Sequence, residues 1–321
     1  MDQYPLVSIV TPSFNQAAYL EQTIKSVLDQ GYPDLEYMIV DGGSTDGSVE
    51  IIKKYADRLA WWVSEKDSGQ AEAINKGFSR CKGEFIAWLN SDDLYLNGSI
   101  QLAVETLLAH PEAAMVYGDV LSINQSGKPI NLMRYGNWGL DGLMQFKIIG
   151  QPGVTMRRTA LEKAGYLDKS YHYMLDTHLW LRVAQYGDAV YVKQTWAAAR
   201  YHESAKNISQ PEGFGREAYR VLDWMKEQPT LKEKYQVHEN KILAGVHLFN
   251  ARYLLDGNKL KEALKYYWKS FKCHAPTALK EWHRIVYIFG TFIGFKFVKG
   301  LYLKMRAFFK RKELQNHQGK N

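Results

Sequence analysis

Four short polar segments hold the residues of this 321-residue chain that are equipped for chemistry. They are "TPSFNQ" from Thr11, "DGGSTDGS" from Asp41, "SEKDSGQA" from Ser64 and "NSDD" ending in Asp92 and Asp93, each directly after an apolar run. Adjacent carboxylates at the end of a buried run repel each other in low dielectric, so they need hydration, hydrogen bonds or a cation. Hard oxygen ligands suit Mg2+ or Mn2+, and an incompletely chelated Mg2+ keeps waters and binds substrate phosphates. Asp92 and Asp93 therefore predict a divalent ion and a phosphorylated ligand. Asp41, followed by glycines and hydroxyls, suits a ribose or base contact, and its surroundings do not match the G-x-G-x-x-G dinucleotide fingerprint. Asp67 and Gln70 stand at the start of a helical pattern, whose N-terminus favours a nearby anionic group. Asp and Asn also serve turns and helix caps. That explains any one segment alone, whereas four in succession point to a site.

The elements that must position these residues are legible around them. "LVSIVT" (6–11), "EYMIVD" (36–41), "WWVS" (61–64), "EFIAWLN" (84–90) and "AAMVYGD" (113–119) read as strands, partly by branched and aromatic content. Helical patterns lie between them; Ala71, Ile74, Phe78 and Cys81 recur at steps of three, four and three, one helical face, which predicts a core position for Cys81. Strands alternating with helices imply crossovers, hence an α/β fold with a mostly parallel central sheet flanked by helices. In such sheets ligands collect outside the carboxyl ends of the strands, where all four polar segments are expected. After about residue 205 strand signals stop, and "GREAYRVLDWMKEQ", "NKILAGVHLFNARYLL" and "NKLKEALKYYWKSFKC" read as amphipathic helices. No third copy of a helical repeat is found, so a solenoid is not supported.

Composition narrows the class. A chain that is 46% hydrophobic at this length buries a full core. Cys81 and Cys273 are far apart and lack metal-ligand spacing, which argues against a disulfide framework or zinc site and for a reducing compartment. The N-terminus "MDQYPLVSIVTPSFN" lacks the pattern of a secretory signal, so a cytoplasmic location is expected. The net charge is +7, and Lys296 to Lys312 alone contain seven basic residues and no acids. The remainder is balanced, and no nucleic-acid partner is expected. "IVYIFGTFIGF" (285–295) is 11 residues, short of the ~20 that span a bilayer. Lys and Arg interleaved with Phe, Tyr and Leu in "FKFVKGLYLKMRAFFKRK" suit an amphipathic helix on an anionic membrane surface, a peripheral contact to the inner face of the plasma membrane. A C-terminal helix docked on its own protein, or a dimer contact, is the alternative.

The segments "VSIVTPSFNQAAYLEQTIKSVLDQ", "EYMIVDGGSTDGS", "DSGQAEAINKG" and "WLNSDD", in this order and spacing, resemble the nucleotide-sugar half of bacterial family 2 glycosyltransferases. "GQPGVTMRR", "GYLDKSYHYMLDTHLWLRVAQYG" and "RYHESAKNIS" resemble that family's acceptor-side segments, so the resemblance covers roughly residues 5–210. It implies a GT-A (Rossmann-like) domain over 1–210, with a nucleotide-sugar half near 1–120 and an acceptor half near 121–210, ahead of a helical region over 211–321. It further implies inverting transfer from a nucleoside diphosphate sugar, with UDP favoured, to a hydroxyl of a glycan or lipid-linked acceptor, as in polysaccharide biosynthesis, with Mg2+ or Mn2+ at the diphosphate. Carried over residue by residue, the Thr11 to Asn15 loop (Thr11, Pro12, Ser13 and Asn15), Asp41, Asp67, Gln70 and Asp92 hold the nucleotide sugar. Asp92, Asp93 and His202 serve the metal. The family's commonest pattern has an acid where this chain has Asn90, which leaves open which Asp binds metal and which touches ribose; for His202 an ordinary loop histidine is the alternative.

Asp176 is the expected general base. The family often has Glu-Asp where this chain has Leu175-Asp176, and inversion needs one carboxylate to take the acceptor's proton. Asp176 as N-cap of "THLWLRVAQYG", with Leu175 and Trp180 as flanking hydrophobic pair, is the alternative reading. Gln151 and Trp180 are placed on the acceptor side, where aromatics stack on sugars or pack in the core; for Trp180 and Arg182, on the same presumed helix, support of Asp176 alone is the alternative. Two other functions compete. A sugar-nucleotide-forming nucleotidyltransferase calls for a glycine-rich basic loop after the first strand, and here no glycine occurs and the first basic residue is Lys25. A non-catalytic sugar-nucleotide-binding or scaffold protein calls for lost acids, and the matched acids other than those at Asn90 and Leu175 are present.

Overall fold

The computed structural model describes residues 4–202 and 210–292, together with Gly300, Lys304 and Leu314. Most of the basic tail lies outside these residues. The chain forms two compact units: the first takes residues 1–123, 133–140 and 148–200, the second residues 124–132, 141–147 and 201–321.

The first unit is built on β1 (Val7–Ser13), β2 (Leu35–Asp41), β3 (Trp61–Ser64), β4 (Phe85–Trp88), β5 (Leu94–Tyr95), β6 (Ala113–Ile123), β8 (Val154–Arg157) and β9 (Asp188–Arg200), with β7 (Pro129–Met133) between β6 and β8 in sequence. Strand order is β3-β2-β1-β4-β8-β6-β9-β5. β3, β2, β1 and β4 are mutually parallel, β8 is antiparallel to both β4 and β6, and β9 runs parallel to β6. Six strands therefore share one direction, and β8 and β5 oppose it. The α/β expectation holds, with a second half of mixed strand direction.

Alternation along the strands shows why both faces are covered. Val7 and Ile9, Tyr37 and Ile39, and Phe85 and Ala87 point into one cluster with Leu20, Ile24 and Val27 of α1 (Ala17–Leu28), Ile52 of α2 (Ser48–Lys54) and Ile100, Val104 and Leu107 of α4 (Ser99–Ala109). Val10, Met38, Val40, Ile86 and Trp88 are buried on the other face, which α3 (Gln70–Phe78) covers so closely that a Cβ on Gly77 would lie 2.4 Å from Val10 Cγ1. Strands buried on both sides read as continuous apolar runs, as these do.

α3 ends at Phe78, so Cys81, expected in the core by its spacing, falls beyond the helix and is only half-buried. Its thiol bonds the Gly77 carbonyl, and burial pushes its pKa up to about 12. α5 (Gly139–Met144) and α6 (Arg158–Ala164) flank β8 in sequence, and α7 (Leu175–Val183) precedes β9.

The second unit is mainly helical: α8 (Pro211–Glu227), α9 (Pro229–Asp256), α10 (Leu260–Cys273), α11 (Ala275–Leu279) and α12 (Trp282–Phe292). Leu248, Ala251 and Leu254 of α9, Ala263 and Tyr267 of α10 and Ile288 of α12 form its core cluster. Gly245 is required in α9, because a Cβ there would lie 2.1 Å from the Gln145 carbonyl oxygen. Among the described residues no helix is long and apolar enough to cross a membrane.

Candidate active site

Register brings the strand ends level. Ser13 pairs with Asp41 and Asp41 with Ser64, so the last residues of β1, β2 and β3 lie side by side. β4 stops three residues lower, with Trp88 beside Val10, and the chain leaves through Leu89, whose N–H donates to the Val10 carbonyl at 2.9 Å. The notch lies between β1 and β4, where the order reverses, and Asn90 to Asp93 follow from it. In an open α/β sheet this topological switch point is where ligands bind.

Hydrogen bonds stitch the four polar segments together. Asn15 adopts a left-handed backbone (φ 51°), a region Asn tolerates better than most residues. Its N–H donates to Ser44 Oγ at 2.8 Å, and its Oδ1 accepts the Thr45 N–H at 2.9 Å. Asp46 takes the N–H of Ala17 at 2.9 Å on one oxygen and the N–H and hydroxyl of Ser48 at 3.1 and 2.6 Å on the other, so one carboxylate serves the first turns of both α1 and α2. Burial raises its pKa, but the bonds from Ser48 and Ala17 outweigh burial and hold it below the usual range.

Asp41 is fully buried and accepts four bonds: from Gly43 N, Ser44 N and Ser64 Oγ on one oxygen at 3.1, 2.9 and 2.7 Å, and from Ser44 Oγ on the other at 2.5 Å. Asp67 Oδ1 accepts the Gly69 N–H at 2.8 Å, and Asp67 Oδ2 sits where a Cβ on Gly42 would come within 2.8 Å. Only glycine at 42 lets that carboxylate lie against the β2 loop.

The acid pair divides its labour. Asp93 is buried; its Oδ1 accepts the Arg200 N–H at 2.9 Å and its Oδ2 the Asn90 amide at 3.3 Å. Burial, reinforced by the neighbouring Asp92 charge, pushes its pKa well above the carboxylate range against those bonds. Asp92 is half-buried. Its backbone carbonyl accepts Arg200 Nε at 3.0 Å, while Arg200 Nη2 reaches Gln22 Oε1 at 2.9 Å and the guanidinium lies 4.7 Å over the Tyr19 ring. Gln70 donates to Asn90 Oδ1 at 2.8 Å, joining the start of α3 to the same loop. Arg200 and Gln22 are thus structural members that sequence reading passed over, while Asn90 and Ser64, read as parts of polar segments, prove to hold those segments together. The one signal for Arg200 is a charged residue closing the apolar run "WAAAR".

Among the described residues no three His, Cys, Asp or Glu side chains form a ready metal cage. Mg2+ commonly needs less, one or two carboxylates plus substrate phosphates and water, and Asp92 at the notch suits that donor set. Asp93, the other acid of the pair, is buried, and its two oxygens accept bonds from Arg200 and Asn90.

Other expected residues fall as follows. β1 runs through Ser13, so Thr11 and Pro12 are strand residues and not a loop; the Thr11 hydroxyl is buried and meets Tyr37 OH at 3.0 Å. Ser13 Oγ is buried at the same edge and has no hydrogen-bond partner among the described residues. α7 starts at Leu175, so Asp176 lies in its first turn and is not its N-cap. Asp176 Oδ1 accepts the Thr177 N–H at 2.6 Å. Trp180, expected toward an acceptor, is only 1% exposed and stacks on Trp88 with ring centroids 5.0 Å apart. It anchors α7 to the end of β4 and has no surface to offer a sugar. Gln151 is tied to the same place, its amide donating to the Trp88 carbonyl at 2.8 Å. Arg182 holds the carbonyls of Ala164, Gly165 and Tyr166 at the end of α6. His202 is buried and belongs to the second compact unit.

Comparison with known proteins places this arrangement. Residues 8–164 match the family model described as Glycosyl transferase family 2. The putative teichuronic acid biosynthesis glycosyltransferase TuaG of Bacillus subtilis is 38% identical over 130 residues, 40% of this chain and 51% of TuaG. The chain thus spans about half the length of that relative. Among solved structures, S. aureus TarS 1–349 aligns with a TM-score of 0.61 at 13% identity, covering 97% of this chain and 92% of that one; it has also been solved with UDP-GlcNAc and with UDP. Mannosyltransferase PcManGT from Pyrobaculum calidifontis, in complex with GDP-Man and Mn2+, aligns with a TM-score of 0.61 at 18% identity, covering 94% and 86%. Residues 8–164 thus match family 2 glycosyltransferases, and the chain shares the GT-A fold of its structural neighbours.

Proposed function

We propose that this glycosyltransferase moves a sugar, with inversion, from a nucleoside diphosphate sugar, UDP-activated in the favoured reading, to a hydroxyl of a glycan or lipid-linked acceptor. The observation that carries the reading is the notch beside Trp88, where the loop bearing Asp92 leaves β4 next to the level ends of β1, β2 and β3. Complexes of fold neighbours with UDP-GlcNAc and with GDP-Man and Mn2+ support a nucleotide sugar as ligand.

In this reading Ser13, Asp67 and Asp92 face the nucleotide sugar, while Asn15, Asp41 and Gln70 shape the loops that present them. Asp92 holds Mg2+ or Mn2+, which supplies charge neutralisation to the diphosphate when bound. Asp93 and Arg200 fix the Asp92 backbone from behind. Asp176, on a helix anchored to the same strand end by Trp180, takes the proton of the acceptor hydroxyl as its oxygen attacks the anomeric carbon opposite the diphosphate. The bond to the diphosphate oxygen breaks on the other face, and no covalent sugar-enzyme species forms.

The test is to incubate the protein with UDP-, GDP- and dTDP-sugars and extracted glycan or lipid-linked acceptors, and to read nucleotide release and the anomeric configuration of the product. Inverted product from one donor class, lost in Asp176→Asn, supports the reading. Retained configuration, or transfer undiminished in Asp176→Asn, contradicts it.

A further inference from the structure

The second unit carries two exposed stripes that its fold does not use. On α10, Lys261, Lys265, Trp268 and Lys272 follow at steps of four, three and four, all exposed, with Phe271 stacked on Trp268 at 5.5 Å and Lys272 5.5 Å over the Trp268 ring. The opposite face of the same helix buries Ala263, Tyr267 and Ser270. On α12, Trp282, Val286 and Phe289 recur at steps of four and three and are 59%, 48% and 49% exposed, while Ile288 on the other side is buried in the core cluster. Leu279 and Lys280 are exposed at the connection between them. Single exposed apolar residues are ordinary, but a whole helical stripe of them is not.

Charge decides what fits. Residues 259–292 hold seven Lys or Arg against two Glu, and Glu281 is already committed to Arg252 and Arg284 at 2.6 and 3.1 Å. A second copy meeting this face by two-fold symmetry would set the lysine stripe against itself. The chain's own tail is a poor cover too, because residues 296–312 contain seven bases and no acid. Trp beside Lys on one helical face matches the boundary of an anionic bilayer, where the ring sits at headgroup depth and the ammonium meets lipid phosphate.

We infer that the α10 and α12 stripes are a lipid-docking face that seats the protein on an anionic membrane surface. The face acts independently of sugar chemistry, so it is tested without donor or acceptor. The purified full chain is mixed with vesicles of phosphatidylcholine alone or with phosphatidylglycerol, and binding is read by flotation and by the blue shift of tryptophan emission. Binding to the anionic vesicles only, weakened by salt, is expected. Lys261→Glu with Lys265→Glu and Lys272→Glu should lower affinity roughly 100-fold, and Trp268→Ser with Trp282→Ser should remove the blue shift.

Circular dichroism confirms that each variant is folded; a charge-reversed variant that fails is replaced by its Lys→Gln counterpart in the same assay. Three results would overturn the inference: no preference for anionic vesicles; loss of binding on reversing Lys310, Arg311 and Lys312 while the stripe variants bind as wild type; or a lipid-free dimer that the stripe variants dissolve.

Discussion

Arg200 is where a single change should separate a site held in place from a site merely assembled. Arg200→Met keeps the backbone N–H that Asp93 accepts but removes the guanidinium bonds to the Asp92 carbonyl at 3.0 Å and Gln22 at 2.9 Å, and the contact 4.7 Å over Tyr19. The side chain is 4% exposed, so water does not replace these partners freely. Hydrogen bonds to a charged group contribute about 1.5–3 kcal/mol each, and a cation over an aromatic ring about 0.5–2 kcal/mol. Together these reach about 3.5–8 kcal/mol, and because contributions of neighbouring contacts are not additive the loss expected in urea unfolding lies at the low end, about 3.5–5 kcal/mol. Because the Asp92 backbone is released, metal-dependent nucleotide affinity should fall by a larger factor than metal-free affinity, a difference that general destabilisation does not produce. Unfolding free energy within about 0.5 kcal/mol of wild type, typical of a neutral surface change, together with unchanged nucleotide binding, would refute the reasoning.

Asp176→Asn should lower kcat by ~10²–10⁴ with little change in donor affinity, measured by steady-state transfer and donor titration. Trp180→Ala removes a fully buried ring stacked on Trp88 and should cost about 3–5 kcal/mol in stability by denaturant titration; a selective rise in acceptor KM at unchanged stability would speak against its core role. Glu281→Gln leaves Arg252 and Arg284 without their shared carboxylate and should destabilise by about 3–5 kcal/mol at neutral pH. Burial raises the Glu281 pKa, but the two arginines more than offset this and hold it below 4.5. Its contribution is therefore fully present above pH 4.5 and fades as pH falls through the depressed value, so the gap between wild type and variant in unfolding free energy should close in acid.

The parallel half of the sheet was readable because β1, β2 and β4 are buried on both faces and leave unbroken apolar runs. β9 was not, since its middle, "VKQT", is partly solvated and breaks the pattern. The 28-residue α9 was legible only in its apolar half, because its first turns, "PTLKEKYQVHEN", carry little apolar periodicity. At the site, residue types were informative and partners were not. Asp41 and Asp93 read as ligand-facing acids, yet their oxygens are engaged by Ser64, 23 residues away, and by Arg200, 107 residues away. Such pairings depend on strand order and on the register that sets Asp41 beside Ser64, which local spacing does not encode. Trp180 shows the same limit: an acceptor-side ring and a ring that only supports Asp176 are not told apart until the Trp88 ring beneath it is known.

The most direct test of the central claim is calorimetric titration of UDP, GDP and dTDP into wild type and Asp92→Asn, with and without Mn2+. Binding of one nucleotide that Mn2+ strengthens in wild type, and that Asp92→Asn reduces to its metal-free level, is the predicted result. Binding of none of the three to a folded protein, or an Mn2+ effect that survives Asp92→Asn, would contradict the placement of the nucleotide sugar at the notch between β1 and β4.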